Sequence, residues 1–251
     1  MIDIHSHLLP GVDDGSKSVE MSLPVLERFA ADGVTCVVLT PHLLASQASY
    51  APYERNHAIF EELRSVAPRE IELRLGWEIM LDEPNTDLRT RTLGLGGSRA
   101  VLVEFPRLGV PARASDELYR IGSSGVVPVL AHPERYYGCT EERVVEWRQA
   151  GAVIQMDTAC LLGKGRVAKL SRSLVQRGLV DLFASDNHGD SRSLSTARDW
   201  LCDVATVEHA DLMTHTNARN LLDGLPLVPV PPLTRRGGVF GHLRDLFLSR
   251  R

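Results

Sequence analysis

Seven short apolar, β-branched runs recur along the chain and alternate with longer stretches of helical period. They fall at Ile2–Ser6, Thr35–Thr40, Glu72–Trp77, Ala100–Glu104, Val126–Ala131, Val153–Met156 and Leu179–Ala184. Helical periodicity covers Ser22–Asp32, Tyr53–Ser65, Ser115–Ser123, Glu141–Ala150, Arg166–Arg177 and Ser193–Val204. Such alternation predicts repeated βα units, since a helix is the usual way to return the chain to a parallel neighbouring strand. Gly33, Gly125, Gly151 and Gly178 follow helical segments where a left-handed C-cap is expected, and Ser115 and Thr140 sit where N-caps belong. The 251 residues suffice for one large α/β barrel or two small domains.

Parallel βα barrels gather their chemistry at the C-terminal ends of the strands. Here nearly every strand end carries a histidine or a carboxylate. The first run leads into His5, His7, Asp13 and Asp14, the second into His42, the third into Glu78 and the fourth into Glu104. His132 follows the fifth, Asp157 the sixth, and Asp186 and His188 the seventh. His5 and His7 are two apart, so a strand presents both imidazoles on one face, where they can chelate one cation. An HxH pair alone is weak, but so many costly polar groups converging on one rim point to a metal site.

The set contains imidazole and carboxylate but no thiolate, which suits Mn, Fe, Zn or Mg and does not suit a closed structural zinc site. Its size exceeds the needs of one ion and implies a cluster of two or three. Such clusters hold a phosphoryl group and activate water, so phosphoester hydrolysis is the reaction they serve most directly. Arg135, three residues after His132, and Arg192, beyond Asp186 and His188, could fork onto phosphate oxygens. A net charge of -4 gives no basic footprint for nucleic acid. Cys36, Cys139, Cys160 and Cys202 form no CxxC pair, and neither a signal peptide nor a stretch of transmembrane length is readable. A cytoplasmic protein is expected.

Residues 1–225 read as the catalytic unit and 226–238 as a Pro- and Gly-rich connector, with PLVPVPP at Pro226–Pro232. Residues 239–251 read as a short basic amphipathic helix with Phe240, Leu243, Leu246 and Phe247 on one face.

The runs DIHSHLLPGVDDG at the N-terminus, TPH at 40–42, GWE at 76–78, EF at 104–105, AHPER at 131–135 and SDNH at 185–188 occur in one order. This order resembles the polymerase and histidinol phosphatase (PHP) superfamily. Within it, the chain is similar to the bacterial tyrosine-protein phosphatases of capsular and exopolysaccharide gene clusters (CpsB/CapC type), from residue 1 to about 223. The resemblance implies a distorted TIM-like (β/α)7 barrel with three divalent metal ions at the C-terminal ends of the strands, manganese foremost. It implies His5, His7, Asp14, His42, Glu78, Glu104, His132, Asp186 and His188 as ligands, with Glu78 bridging, and Arg135 and Arg192 on the substrate phosphate. It implies hydrolysis of phosphotyrosine on the tyrosine-rich tail of a bacterial autokinase. Leu43 and Leu44 depart from the family after TPH, where relatives often carry a second His or a basic residue. Asp157 stands where relatives carry a neutral residue, and it reads as a supporting carboxylate or a helix cap.

Two rival readings remain. Cys160 to Arg166 satisfies C-x5-R, the loop of cysteine-dependent phosphatases, but Ala159 and Val167 replace the usual flanking His and Ser or Thr. The other keeps the metals and changes the substrate to a small phosphomonoester such as histidinol phosphate. The remaining His57, His209, His215 and His242 fall in helical or tail segments and are expected outside the site.

Overall fold

The computed structural model describes residues 1–233. The helix expected over 239–251, with His242, and the connector's end at 234–238 lie outside the described residues. Among the described residues there are nine strands: β1 (Ile2–Ser6), β2 (Cys36–Leu39), β3 (His42–Leu44), β4 (Glu72–Leu75), β5 (Glu78–Met80), β6 (Ala100–Glu104), β7 (Val127–Ala131), β8 (Val153–Asp157) and β9 (Leu182–Ala184). The helices are α1 (Val19–Ala31), α2 (Tyr53–Val66), α3 (Ala114–Ser123), α4 (Glu141–Gln149), α5 (Thr158–Leu162), α6 (Gly165–Gln176), α7 (Leu194–Val204), α8 (Val207–Asp211) and α9 (Asn217–Leu222).

All strand pairs are parallel, in the orders β1-β2-β4 and β3-β5-β6-β7-β8-β9. The extra strands arise because two of the seven expected runs continue past a break. Pro41, which has no amide to give, separates β2 from β3, and Gly76-Trp77 separates β4 from β5. Backbone bonds cross the breaks, from the Gly76 amide to the Leu39 carbonyl at 2.9 Å and from the Glu78 amide to the Pro41 carbonyl at 3.1 Å. At the other end, the Asp186 amide donates to His5 at 2.9 Å and the His7 amide to Asn187 at 2.7 Å. The series of strands thereby returns from β9 to β1.

Alternation along β6 and β7 feeds two of the three buried clusters among the described residues. Val101 and Val103 of β6 and Leu130 of β7 pack with Leu118, Trp147, Leu174 and Leu201 of the helices. Their neighbours Ala100, Leu102, Val129 and Ala131 face the other way, into a cluster with Ile2, Ile4, Val38 and Leu182. A fully buried Leu or Ile here contributes roughly 1.5–3 kcal/mol by leaving water.

The expected start of the last strand at Leu179 moves to Leu182. The Asp181 amide still donates to the Ile154 carbonyl at 3.0 Å, but the Ile154 amide is taken at 2.8 Å by the Asp181 carboxylate, itself paired with Arg148 at 3.0 Å, so a side chain supplies half of the pairing there. Ser115 is not a cap: α3 begins at Ala114 with no side-chain cap, whereas Thr140 accepts from the Arg143 amide as expected. The four glycines after helices all have left-handed φ. The segment Val207–Leu222, for which no helix is expected, forms α8, a π-helical turn and α9.

The described part of the connector lies against the folded unit. Val228 exchanges two bonds with the Asn217 side chain at 2.9 and 3.0 Å, Val230 is buried, and the Leu233 amide reaches the Gln176 carbonyl at 2.9 Å. Gly178 makes this fit possible, since a Cβ there would lie 2.5 Å from the Val230 oxygen. Among the described residues, no helix is long and apolar enough to cross a membrane.

Candidate metal centre

β1 delivers His5 within the strand and His7 just beyond it, and their Nε2 atoms stand 3.1 Å apart. Two nitrogens bound to one ion at about 2.0–2.1 Å and at a right angle would be separated by about 3 Å. The two rings are therefore set as a chelating pair. Each is held from behind: Gln155 Oε1 of β8 lies 3.1 Å from His5 Nδ1, and Asp13 Oδ2 lies 2.7 Å from His7 Nδ1. Partners of this kind fix ring orientation and tautomer, leaving the far nitrogen free to bind.

The loop carrying Asp13 is pressed onto the strand end. The Ser16 amide donates to the His7 carbonyl at 2.9 Å, and a Cβ on Gly15 would sit 2.0 Å from that same oxygen. The glycine after the two aspartates is thus a requirement of close approach.

Glu78 opens β5 at the middle of the cluster. Its Oε2 lies 3.4 Å from His5 Nε2, 3.2 Å from His7 Nε2 and 3.0 Å from His42 Nδ1, and its Oε1 lies 2.8 Å from His132 Nε2. Asp186 Oδ1 is 3.2 Å from both His5 and His7 Nε2. Glu104, the last residue of β6, approaches His132 Nε2 at 3.9 Å. Toward solvent, Asp14 Oδ1 lies 3.2 Å from His42 and 3.4 Å from His188.

All nine residues expected as ligands fall into four overlapping groups: His5-Glu78-His132, His5-His7-Asp186, His42-Glu78-Glu104 and His7-Asp14-His42-His188. The first two groups are buried, and the last opens to solvent at Asp14 and His42. Two of these residues have left-handed backbones, His132 at φ 33° and Asp186 at φ 48°. Both follow a strand, and such strain persists only where surrounding structure enforces it. Tyr136 supplies some of that enforcement, donating to the Ala131 carbonyl at 2.9 Å and accepting from the Phe105 amide at 3.1 Å.

The metal-free electrostatics describe a frustrated cluster. Burial opposes ionisation of Glu78, yet the His5 charge and bonds from His132, His42 and His5 hold it well below the usual carboxylate range. Burial likewise disfavours the charged form of His5, and Glu78 and Asp186 override it, raising the imidazole to about 9. Glu104 is pushed the other way, to about 7, by burial and by the neighbouring Glu78 charge. His132 Nδ1 lacks a hydrogen-bond partner although buried, and Asp186 Oδ1, though 3.2 Å from two imidazole nitrogens, is not aligned for a good hydrogen bond with either. Cations would relieve this frustration, balancing Glu78, Glu104 and Asp186 and freeing His5 and His7 of their protons. The residues present fit a polynuclear metal centre.

Arg135 reaches this centre. Its guanidinium lies 2.6 Å from Asp186 Oδ2 and donates to Asp157. Asp157 fills both roles left open for it, since it also caps α5 by accepting from the Ala159 amide at 2.8 Å. Its own amide is held by Glu134 at 2.9 Å. Arg192 sits further out, 3.5 Å from Asp186 and 2.8 Å from Asp190. Sequence reasoning missed Gln155 and the role of Asp13 behind His7; Asp13 carried a signal in its place two residues before Gly15, but Gln155 carried none. His57, His209 and His215 lie outside the groups.

Cys160 does not have a nucleophile's surroundings. Burial, then Glu134 and Asp157, push its thiol well above the ordinary range, and its Sγ lies 3.3 Å from Asp157 Oδ2. A reactive thiolate needs the opposite field.

A family model described as capsular polysaccharide synthesis, CpsB/CapC, matches residues 1–223. The chain is 30% identical over 197 residues to a putative tyrosine-protein phosphatase CapC of Staphylococcus aureus, covering 75% of this chain and 77% of that one. It is 30% identical over 253 residues to tyrosine-protein phosphatase YwqE of Bacillus subtilis (strain 168), covering 96% and 99%. Among solved structures it is similar to those of YwqE from Bacillus subtilis and CpsB from Streptococcus pneumoniae, described as unique metal-dependent tyrosine phosphatases. That match has a TM-score of 0.73 and 25% identity, and covers 94% of this chain and 100% of the other.

Proposed function

The chain belongs to the CpsB/CapC family, and on that premise we propose that it is a metal-dependent phosphatase hydrolysing phosphotyrosine on a protein substrate. The observation that carries this reading is the placement of Glu78 within 3.4 Å of His5, His7, His42 and His132. A single carboxylate among four imidazoles is suited to bridging ions. The overlapping groups support a cluster of three divalent ions, manganese foremost with Fe, Zn or Mg as alternatives, held by His5, His7, Asp14, His42, Glu78, Glu104, His132, Asp186 and His188.

Ions bound there supply Lewis acidity to a phosphoryl oxygen and lower the pKa of an attacking water. The chain's own groups do the rest. Arg135 offers a planar fork to the equatorial phosphate oxygens, and Asp157 fixes that fork before substrate arrives. Arg192 adds a second, more solvated cation. A tyrosine leaving group, with a pKa of about 10, departs with little help from a general acid. The tyrosine-rich tail of an autokinase controlling capsule or exopolysaccharide synthesis is the proposed substrate. Four cysteines, all unpaired, support a cytoplasmic location.

The test compares a phosphotyrosyl peptide, an aryl phosphate, histidinol phosphate and single-stranded DNA, with and without chelator. The expected result is peptide hydrolysis that chelator abolishes and manganese restores. Preferential turnover of histidinol phosphate would keep the centre and overturn the protein substrate.

A further inference from the structure

Beside the metal centre, a cavity of about 750 Å3 opens between the segments that follow β6 and β7 and the start of α6. Arg135 links it to the centre, lining the cavity while touching Asp186. Its two outer walls are one piece, since the Tyr137 amide donates to the Arg107 carbonyl at 2.9 Å. Leu108 is 89% exposed and Tyr137 75%, and Val167 is exposed on the α6 side, so large apolar groups meet water on both sides of the opening. A contiguous exposed apolar patch next to a catalytic centre is a binding surface more often than an accident.

The charge at this opening is positive. Arg107 and Arg166 line it, and neither forms an ion pair among the described residues. The third cation, Arg135, is already engaged by Asp157 and Asp186. Glu134, the cavity's carboxylate, is 2% exposed and bonded to the Asp157 amide, so it lies beneath the surface and is not presented to a ligand at the mouth beside the two arginines.

We propose that this groove binds the peptide segment flanking the phosphotyrosine and selects for an acidic and an apolar side chain beside it. The proposal rests on the phosphotyrosine reading above. Arg107 and Arg166 meet the acidic side chain, and Leu108, Tyr137 and Val167 cover the apolar one. Arg135 joins the groove to the phosphate position, so the flanking segment and the phosphoryl group are placed together.

The test uses the metal-loaded full chain and three phosphotyrosyl peptides that differ in their flanks: Glu and Leu, Lys and Ser, or glycine alone. Values of kcat/KM are referred to p-nitrophenyl phosphate. The Glu/Leu peptide is expected to exceed the glycine peptide by about 3- to 10-fold at low salt, with the advantage shrinking as ionic strength rises. Arg107→Gln with Arg166→Gln removes that advantage, and Arg107→Glu with Arg166→Glu turns the preference toward the Lys/Ser peptide. Both sites are at the surface, and circular dichroism with a melting curve verifies that each variant is folded. Equal kcat/KM on all three peptides, or a preference unchanged in the glutamine variant, overturns the groove. Turnover of histidinol phosphate with none of any phosphotyrosyl peptide overturns the parent reading and the groove with it.

Discussion

Asp13 Oδ2 stands 2.7 Å from His7 Nδ1, on the side of the ring away from the ε nitrogen that faces Glu78 and Asp186. The same carboxylate receives the Gly15 and His42 amides, so it ties the loop, the ring and the start of β3 to one point. Asp13→Ala should weaken metal binding about 10- to 100-fold, the usual cost of losing a group that orients a ligand. Titration of the chelated protein with manganese, read by calorimetry, checks this; unchanged affinity would remove Asp13 from the design.

Glu78→Gln keeps the shape of the side chain and deletes the charge that balances four imidazoles. The variant should retain fewer ions per chain by elemental analysis and lose at least about 100-fold in kcat. Full metal content in the variant would mean that Glu78 does not bridge.

The metal-free protein should lose stability as pH rises from 7 to 9. His5 is raised from 6.5 to about 9 and His7 is raised well above 6.5, because Glu78, Asp186 and Asp13 outweigh burial. The folded chain thus holds protons that the unfolded chain has released, and stability present below pH 6.5 is lost as pH climbs through the folded values. Glu104, raised to about 7, acts in the same direction at lower pH. His132 and His188 are lowered by burial and oppose the trend, but their effect is spent near their ordinary pKa of about 6.5. Metal binding displaces the His5 and His7 protons, so the gap in melting temperature between manganese-loaded and chelated protein should widen over this range. A chelated melting temperature that holds or rises from pH 7 to 9 would contradict the assignment.

Arg135→Lys retains the charge but loses the planar fork shared between Asp157 and Asp186. A fall of about 10- to 1000-fold in kcat/KM is expected, with metal content unchanged. Asp157→Asn should fall between wild type and this variant, since α5 keeps a capping oxygen while Arg135 loses its ionic brace.

Cys160→Ser should leave phosphatase activity within about two-fold, because the thiol is held protonated beside Asp157. Loss of activity in this variant together with resistance to chelator would restore the cysteine mechanism.

The sequence by itself determined the order of seven strands and six helices and the identity of the polar groups at the strand ends, but not β3, β5, α5, α8 or α9. The reason is local: hydrophobic period, glycine caps and residue type are properties of short segments. His5 and His7 share a face because strands repeat every two residues, and that was legible before any contact was known. Tertiary structure decided what those groups do to one another. Gln155 reads as an ordinary strand residue until β8 is laid near β1, and the bond from Arg135 to Asp157 joins two separate βα units. The break at Pro41 could be seen in the sequence, but the short strand beyond it exists because β5 is there to pair with. Parallel strands make all their pairings at long range, so register, and with it the 3.1 Å meeting of two imidazoles over one carboxylate, belongs to the folded molecule.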